Sequence, residues 1–384
     1  MVRDAVFVAL VAHPSADLYG SDRVLLESVE GLVAHGVKVV VTIPSSGPLV
    51  PELISRGASV LLCPSPVLRK SMLSLPGLVQ AVPSAIKGAI ASLRLLSTVR
   101  PDVVYVNTVT IPLWNFVALI KRIPLLVHVH EAEGSASPLV RRLLAFPLLA
   151  ASSIVANSQF SSRVLQSSFA GLGARTTVVY NGVPGPEVFG APRERLDGPF
   201  RILFLGRLSA RKGVDVVVDA LALLRKRGIT AHLDIVGAVF PGYEWYETEL
   251  RELIQSHGLE SFVSFHGFQA SVWPFLDAAD AVVIPSRLDE PFGNTAVEAL
   301  LAARPVVVSD TSGLREAAGG YSSAQFVVPG SPESTADALE AIVADWDKFR
   351  EASITDAPLA ATRHSITKYQ AEMAERVQRV AERA

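Results

Sequence analysis

Two glutamates eight positions apart, Glu290 and Glu298, lie in the stretch of this chain with the most specific chemistry. An apolar run over Ala281–Ile284 precedes them and predicts a buried strand, and a helical pattern with Val297 and Leu300 follows. In an open α/β sheet, ligands bind beyond the carboxyl ends of the strands, where a helix N-terminus attracts phosphate. Carboxylates beside such a site are suited to accepting hydrogen bonds from sugar hydroxyls. The stretch therefore predicts a sugar-nucleotide site, although a loop acid followed by a helix-surface acid would give the same spacing.

A second loop in the same half of the chain carries two cations between two glycines. Gly206-Arg207 follows the predicted strand Arg201–Leu205, and Lys212-Gly213 precedes a predicted helix. Glycines permit close backbone approach, arginine can grip a diphosphate through paired hydrogen bonds, and lysine adds a point charge. We therefore expect this loop to neutralise a diphosphate without the help of a metal ion. The alternative is an ordinary solvated loop between a strand and a helix.

Strand and helix patterns alternate along the chain, which predicts parallel sheets with helices on both faces. The proline- and glycine-rich stretch Pro184–Pro199 interrupts this alternation, and the pattern restarts after it. We therefore predict an α/β protein with two Rossmann-like parallel-sheet domains, residues 1–190 and residues 191–363, that face each other across a ligand cleft. Residues 364–384 are predicted to form an amphipathic helix that packs back on the first domain.

Composition excludes several classes of protein. Hydrophobic residues make up 49% of the chain and charged residues 19%, which indicates a packed globular protein. The single cysteine, Cys63, excludes a disulfide framework and a cysteine-based zinc site. The first apolar run is too short for a signal peptide and no stretch is a convincing membrane span, so we expect a cytoplasmic protein. The D-x-D pattern at Asp345-Trp346-Asp347 lies late in a predicted helix, so we expect neither a metal nor another cofactor.

The two halves of the chain differ in charge. Residues 1–190 carry 15 Lys and Arg against 10 Asp and Glu, whereas the remainder carries 20 against 27. Within the first half, Leu53–Arg100 is basic, apolar and interrupted by prolines, and its residues 64–82 are expected to be irregular. An anionic membrane surface, the inner face of the plasma membrane, is therefore a predicted partner, and nucleic acid is not. A chance asymmetry of solvated faces is the alternative. Four basic residues would make the membrane contact: Arg69, Lys70, Lys87 and Arg94.

Four groups of residues follow one another along the chain: Asn157-Ser158, Asn181-Gly182-Val183, Gly206-Arg207-Leu208-x3-Lys212-Gly213 and Pro285-Ser286-x3-Glu290-Pro-Phe-Gly293-x4-Glu298-Ala299. Together they resemble glycosyltransferase family 4, and the resemblance covers nearly the whole chain. It implies the GT-B fold and the transfer of a hexose-type sugar, with retention, from a nucleotide-diphospho-sugar to an acceptor. The last of the four groups is the most specific.

The resemblance also implies roles for the residues of the second domain. Arg207 and Lys212 match residues that bind the diphosphate, Glu298 matches one that holds the ribose, and Glu290 matches one that contacts the donor sugar. Backbone N–H groups of the stretch 292–295 would cradle phosphate and sugar. The remaining donor-binding residues are then Gly206, Phe292, Gly293, Asn294 and Thr295, with Phe268 beside the nucleotide base.

The first domain departs from the family pattern in the loop before its first helix. Family members often carry a Gly-Gly pair there, whereas this chain has Tyr19-Gly20, so Gly20 would keep the close approach to the donor. His130, at the end of a predicted strand, resembles a histidine that the family places near the transferred sugar, and Glu131 is a weaker candidate. The alternative for His130 is a structural histidine that caps a loop.

The predicted function is a retaining, metal-independent hexosyltransferase with catalytic residues Glu290, Arg207, Lys212 and His130. The leaving phosphate would accept the proton of the acceptor, as the family resemblance implies, so Glu290 positions the sugar and is not a nucleophile. A glycan or lipid-linked acceptor in cell-envelope or surface-polysaccharide synthesis would suit the basic first domain.

Two alternatives to this function stay open. The first is a GT-B relative with another reaction, such as a sugar-nucleotide epimerase or a phosphorylase. The second is a non-catalytic nucleotide-sugar-binding protein. A dehydrogenase is disfavoured because no G-x-G-x-x-G follows either first strand. The sequence leaves the base and the sugar of the donor open.

Overall fold

The computed structural model describes residues 6–68, 75–131 and 134–382, and it divides the chain into two compact units. One unit is Val183–Ser365, and the other consists of the described residues on either side of it. The proline- and glycine-rich stretch Pro184–Pro199 is part of the second unit, where the guanidinium of Arg193 donates to both carboxylate oxygens of Asp280 at 2.7 Å. Its prolines and glycines therefore belong to a docked segment and not to a loose connection.

The first unit has a parallel sheet with seven strands among the described residues, in the order β3-β2-β1-β4-β5-β6-β7. Its strands are β1 Val8–Ala12, β2 Lys38–Ile43, β3 Ser59–Leu62, β4 Val103–Val106, β5 Leu125–Val129, β6 Ser153–Ala156 and β7 Thr176–Val178. Its helices are α1 Gly20–Ala34, α2 Leu49–Ser55, α3 Leu75–Val99, α4 Leu113–Ile120, α5 Pro138–Ala145, α6 Gln159–Ser168, α7 Ala170–Gly173 and α15 Ile366–Glu382. One apolar cluster joins the sheet to α1, α2 and α15, and another joins it to α3–α7, so helices cover both faces.

The second unit repeats this architecture with six parallel strands among the described residues, in the order β10-β9-β8-β11-β12-β13. The strands are β8 Phe200–Leu205, β9 Ala231–Val236, β10 Val263–Gly267, β11 Ala281–Ile284, β12 Val306–Ser309 and β13 Ala324–Val327. The helices are α8 Val214–Lys226, α9 Glu244–Ser256, α10 Trp273–Ala278, α11 Asn294–Leu301, α12 Ser312–Ala318, α13 Pro332–Ala344 and α14 Trp346–Arg363. The central strands are fully buried and rich in valine, isoleucine and leucine, as parallel strands covered on both faces are.

Both sheets have a doubly wound strand order, in which the direction of winding reverses beside the first strand of the unit. The reversal lies between β1 and β4 in the first unit and between β8 and β11 in the second. Loops that leave these pairs of strands at their carboxyl ends diverge to opposite faces and open a crevice between them. The predicted fold class, two Rossmann-like parallel-sheet α/β units, is confirmed.

The prediction that residues 64–82 are irregular is wrong from Leu75 onward, where helix α3 lies. The helix begins at Leu75 and continues through Pro83 to Val99. The packing of the later turns, with Leu96 buried against the sheet, outweighs the hydrogen bond that is lost at Pro83. Two of the four predicted membrane contacts, Arg69 and Lys70, lie outside the described residues.

The end of the chain forms two helices, and the second of them belongs to the first unit. Helix α15 packs along α1, where the Cβ of Gln370 lies so close to Gly31 that any side chain there would clash. Asp345 is at the N-cap position of α14, so the D-x-D pattern lies at the start of that helix and not late in one. None of the helices in the described part of the chain is long and apolar enough to cross a membrane.

Candidate functional site

The loops after β8 and β11 touch at the switch point of the second sheet. Gly213 has a φ of +68°, and a Cβ there would lie 2.1 Å from the carbonyl oxygen of Pro285. A side chain is therefore excluded by both the backbone conformation and the contact. The backbone N–H of Arg287 also donates to the carbonyl of Arg211 at 2.9 Å. These contacts place the basic turn Ala210–Lys212 against the loop that carries Glu290.

Glu290 is the centre of a charged cluster in this crevice. Its side chain is only 7% exposed, and its Oε1 lies 2.8 Å from Nζ of Lys212 and 3.2 Å from Nη1 of Arg211. The hydroxyl of Ser286 donates to the same oxygen at 2.8 Å. Arg211 also donates to the carbonyl of Asp289 at 3.0 Å, which fixes its guanidinium beside the loop. Lys212 and Glu290, two predicted site residues, are thus in direct contact.

Burial would raise the pKa of Glu290, but the positive charges of Lys212 and Arg211, together with hydrogen bonds from Lys212 and Ser286, outweigh burial and lower it. The carboxylate is therefore ionised at neutral pH and cannot act as a general acid. Lys212 and Arg211 keep 25% and 42% of their side chains exposed, so both cations also face solvent. The Glu290 carboxylate therefore holds the two cations in place at the mouth of the crevice.

The backbone around Glu290 is held by the start of α12. The N–H of Gly313 and the hydroxyl of Ser312 both donate to the carbonyl of Glu290, at 3.0 and 3.2 Å. A Cβ at Gly313 would lie 2.4 Å from that carbonyl oxygen, so this close contact between α12 and the Glu290 backbone requires a glycine. The Phe292 ring is buried and meets the His364 ring edge-on. The predicted donor contact of Phe292 is therefore restricted to its backbone, and its ring anchors the loop.

Helix α11 begins where the predicted phosphate cradle lies. Gly293 is its N-cap with a φ of +125°, and Asn294 and Thr295 form its first turn. Glu298 stands four positions after Asn294, so its half-buried side chain shares a face with the start of the helix. The N-terminus of the helix carries a partial positive charge. A ligand with both phosphate and hydroxyl groups matches this combination of a helix start and a carboxylate.

Arg207 and Gly206 lie in the loop that leads from β8 to Lys212. The guanidinium of Arg207 stacks on the ring of Phe240, 3.3 Å from its centroid, which fixes the direction of its half-buried side chain. A Cβ at Gly237 would lie 1.8 Å from the carbonyl oxygen of Gly206, so the loops after β8 and β9 are in backbone contact. Phe268 follows β10 at the same edge, and 48% of it is exposed. These predicted donor-binding residues therefore lie on adjacent loops at the carboxyl edge.

The switch point of the first sheet holds a buried hydrogen-bond network. His130 follows β5, and its Nε2 lies 2.9 Å from Oδ1 of Asn107, which follows β4. The Nδ2 of Asn107 lies 3.1 Å from Nδ1 of His13, which follows β1. The Nε2 of His13 lies 2.6 Å from the buried carboxylate of Asp22. Three adjacent strand ends and one helix thereby fix the His130 ring.

Burial, and in second place the neighbouring His13, lower the pKa of His130 to about 3, and Asp22 only partly offsets them. The ring of His128 lies 3.9 Å from that of His130, and burial lowers the pKa of His128 as well. Both imidazoles are therefore neutral near pH 7. His130 is suited to a neutral hydrogen bond with a ligand and not to balancing the charge of a phosphate.

Gly20 is the first residue of α1. The backbone N–H of Tyr19 and the hydroxyl of Ser15 both donate to the carboxylate of Asp22, at 2.8 and 2.7 Å. Asp22 therefore ties the loop before α1 to the His13 network. Glu131, the weaker candidate, contacts the hydroxyl of Thr108, and burial raises its pKa. Its carboxylate links the loops after β4 and β5.

A cavity of about 650 Å³ opens in the first unit among the loops after β1, β2 and β3. Prolines and small residues form much of its wall, and the lining residues within the described part of the chain include one acid, Asp17, and no Lys or Arg. Five serines line it: Ser15, Ser45, Ser46, Ser65 and Ser84. Hydroxyls and a carboxylate suit a ligand with several hydroxyl groups, with which they can exchange hydrogen bonds.

Several of these residues were not predicted from the sequence. Arg211 is adjacent to the predicted cation Lys212, and its positive charge alone could have suggested that it belongs to the site. The network residues His13, Asp22 and Asn107 come from distant segments, and only the strand order shows that they meet. Within residues 6–68, 75–131 and 134–382, no three His, Cys, Asp or Glu side chains are close enough to bind a metal ion together.

Two family models match the chain in succession. The model of glycosyltransferase family 4 matches residues 19–184, and the model of glycosyl transferases group 1 matches residues 191–358. An uncharacterised glycosyltransferase of Methanocaldococcus jannaschii is 35% identical over 158 residues, which are 41% of this chain and 38% of that protein. The alpha-D-kanosaminyltransferase of Streptomyces kanamyceticus is 30% identical over 179 residues, which are 46% of this chain and 45% of that protein. The chain thus spans less than half the length of these curated relatives.

A solved structure similar to this chain is that of HepE from Anabaena in complex with UDP-glucose. It has a TM-score of 0.80 and 23% sequence identity, and the similarity covers 97% of this chain and 99% of HepE. At this level of identity the similarity concerns the fold, in which the two proteins agree over nearly their whole length.

Proposed function

We propose, from the premise that this chain belongs to the group 1 glycosyl transferases of family 4, that it transfers a sugar from a nucleotide-diphospho-sugar to an acceptor hydroxyl. The observation that carries the proposal is the contact of Lys212 and Arg211 with the buried Glu290, next to the start of α11. Two cations and a helix N-terminus suit a diphosphate, and two carboxylates suit sugar hydroxyls.

The proposed reaction places charge where this cluster can stabilise it. Cleavage of the bond between the sugar and the phosphate leaves negative charge on the diphosphate, which Lys212, Arg207 and the N-terminus of α11 stabilise. Arg211 adds a further cation that was not predicted. Because Glu290 is ionised and holds Lys212 and Arg211 in place, the cations need no reorganisation as the charge develops. Retention and independence of metal are parts of this proposal.

The residues of the first unit support roles at the transferred sugar and at the acceptor. His130 is neutral and fixed by Asn107, so it can direct a hydrogen bond to a sugar hydroxyl without disturbing the charge balance. The serine-lined cavity follows the loops of the same sheet edge and suits an acceptor with several hydroxyl groups. We propose a glycan acceptor, and a lipid-linked one in particular, for cell-envelope or surface-polysaccharide synthesis.

A screen of nucleotide sugars tests the proposal. The purified protein is heated with UDP-, GDP-, ADP- and TDP-sugars, and the true donor raises the melting temperature according to RT ln(1 + [L]/Kd). UDP-glucose is the first candidate because HepE binds it. The selected donor should then be hydrolysed slowly in the absence of an acceptor and rapidly in its presence. Product analysis separates transfer from epimerisation or phosphorolysis, and stabilisation without any turnover would indicate a binding protein.

A further inference from the structure

The side of the first unit that carries α3, α4 and α5 exposes apolar side chains in helical stripes. In α5 and the 3-10 turn that follows it, Leu139, Leu143 and Phe146 are each more than half exposed. Their spacing of four and three residues places them on one face of the helix. Arg142 is exposed on the same face. Scattered exposed apolar residues are normal, but a helix whose apolar stripe points away from the core indicates a binding surface.

The neighbouring helices repeat this pattern and join the same surface. In α4, Leu119 and Ile120 are more than half exposed, and in α3, Ile86 and Ile90 share an exposed face with Lys87 and Arg94. Hydrogen bonds connect the helices side by side. Nζ of Lys121 donates to the hydroxyl of Ser97 at 2.9 Å, which joins the end of α4 to α3. The amide of Asn115 donates to the carbonyl of Pro147 at 3.1 Å, which joins α4 to the turn after α5.

We propose that this surface, the exposed side of residues 82–99 of α3, of α4, of α5 and of the turn Phe146–Ala150, is a docking face for an anionic lipid bilayer. The positive charge of these segments favours an anionic partner. Residues 82–99, 113–122 and 138–150 contain six Lys and Arg and no Asp or Glu. Apolar side chains that alternate with arginine and lysine on one helical face match the acyl chains and the anionic headgroups of a membrane interface. A protein partner of ordinary surface composition would not require this complete absence of acids.

The position of the face supports a bilayer as well. Ser84 lines the serine-rich cavity and lies in α3, within one turn of Ile86 and Lys87. A lipid-linked molecule whose head occupies the cavity would therefore have its apolar part beside the docking face. The docking face goes beyond the proposed transfer reaction, since binding to vesicles needs neither a donor nor turnover.

Sedimentation with vesicles tests the docking face. The full chain is mixed with phosphatidylcholine vesicles that either contain or lack phosphatidylglycerol, and the bound fraction is measured at low and high salt. We expect binding to the anionic vesicles only, with a strong decrease at high salt. The Arg94→Gln/Arg142→Gln variant should bind about 25-fold more weakly, because each basic residue near an anionic surface contributes roughly a factor of five. Leu143→Ser/Phe146→Ser should bind at least ~10-fold more weakly because less apolar surface enters the interface.

A matched control lies on α14 of the second unit, where Leu359 and Lys348 are exposed. The Leu359→Ser/Lys348→Gln variant makes the same kind of change away from the docking face and should bind vesicles like the wild-type chain. Equal loss of binding in the control would overturn the proposal. So would a wild-type chain that binds neither kind of vesicle, or one that forms a dimer in sedimentation velocity which Leu143→Ser/Phe146→Ser dissociates. If that variant fails to fold, the arginine variant and the comparison of vesicles decide. Donor hydrolysis measured without vesicles tests the transferase proposal separately.

Discussion

The substitution Glu290→Gln separates the role of this carboxylate from a general contribution to the fold. Glutamine keeps the shape and an oxygen that can accept hydrogen bonds from Lys212 and Ser286, but it removes the charge that balances Lys212 and Arg211. We expect kcat to fall by about 10²–10³-fold, the effect of losing one preorganised electrostatic contact in an active site. The Kd of the corresponding nucleoside diphosphate should stay unchanged or decrease, because a negative charge beside the diphosphate has been removed.

The cost in stability follows from the distances in the cluster. Two unit charges about 4 Å apart interact by roughly 4 kcal/mol at an effective dielectric constant of ~20. Lys212 and Arg211 are 25% and 42% exposed, so water screens them and hydrates them when the carboxylate is lost. We therefore expect a net loss of about 2 kcal/mol, which corresponds to a melting temperature lower by about 4–8 °C for a unit of this size.

The pH dependence of this loss has a defined sign. The pKa of Glu290 is lowered in the folded chain, so its stabilising contribution is present above the ordinary carboxyl pKa of 4.5 and disappears as the pH falls through the lowered value. The difference in unfolding free energy between wild type and Glu290→Gln should therefore be largest at pH 7 and decrease at acidic pH. Urea unfolding at several pH values measures it.

The matched variant is Glu298→Gln, whose carboxylate lies on α11 and is assigned to the ribose. Here we expect the opposite kinetic result, a Kd for the nucleoside diphosphate raised about tenfold with kcat nearly unchanged at saturating donor. Calorimetric titration and release of the nucleoside diphosphate measure the two quantities. The assignment of Glu290 fails if Glu290→Gln turns over like the wild type, or if it loses nucleotide binding and turnover to the same extent.

Three further predictions address other parts of the structure. Gly213→Ala should lower the melting temperature by about 4–8 °C, because its Cβ would meet the carbonyl of Pro285, and calorimetry showing a shift below ~1 °C would contradict this contact. The pKa of His130 is lowered to about 3, so the unfolded chain binds more protons below the ordinary value of 6.5 and stability falls as the pH decreases. His130→Gln should reduce this loss between pH 6.5 and 5.5 by about 1 kcal/mol in urea unfolding, and an unchanged slope would refute the assignment. Arg207→Gln should raise the Kd of the nucleoside diphosphate about 10-fold in calorimetric titration without changing that of the free nucleoside, and an equal loss for both ligands would exclude a diphosphate contact.

The donor side of the site was predictable because its signals are local in sequence. Glu290 follows a buried strand and precedes a helix, so its position at the carboxyl edge follows from the pattern alone. Lys212 was predicted in the same way from the loop after β8. What the sequence did not contain is the contact between the two loops, which depends on Gly213 meeting Pro285 and on the neighbouring positions of β8 and β11.

The network around His130 shows more clearly what could not be predicted from the sequence. His130 was predicted from a resemblance, but the residues that fix it come from the ends of β1 and β4 and from α1. Tyr105 extends this network toward α15, since its hydroxyl lies 2.9 Å from Oδ1 of Asn107 and 3.3 Å from the hydroxyl of Ser28, and the Tyr369 hydroxyl lies 2.6 Å from Ser28. A buried polar group needs such partners, yet periodicity does not show which distant residue supplies them.

Helix α3 was mispredicted at its start for a related reason. Its prolines were given the weight they have in the interior of an isolated helix, where each would break the structure. Tertiary packing of the later turns stabilises the helix in spite of Pro83.

The most direct test of the central claim is the release of nucleoside diphosphate from a sugar donor by the purified chain. We expect one nucleotide sugar to stabilise the chain and to be cleaved, with a large acceleration when a hydroxyl acceptor is added, and with the anomeric configuration of the donor retained in the product. The Glu290→Gln variant should bind the same nucleoside diphosphate and lose the turnover. A chain that neither binds nor cleaves any UDP-, GDP-, ADP- or TDP-sugar would contradict the assignment of this cluster as a donor site.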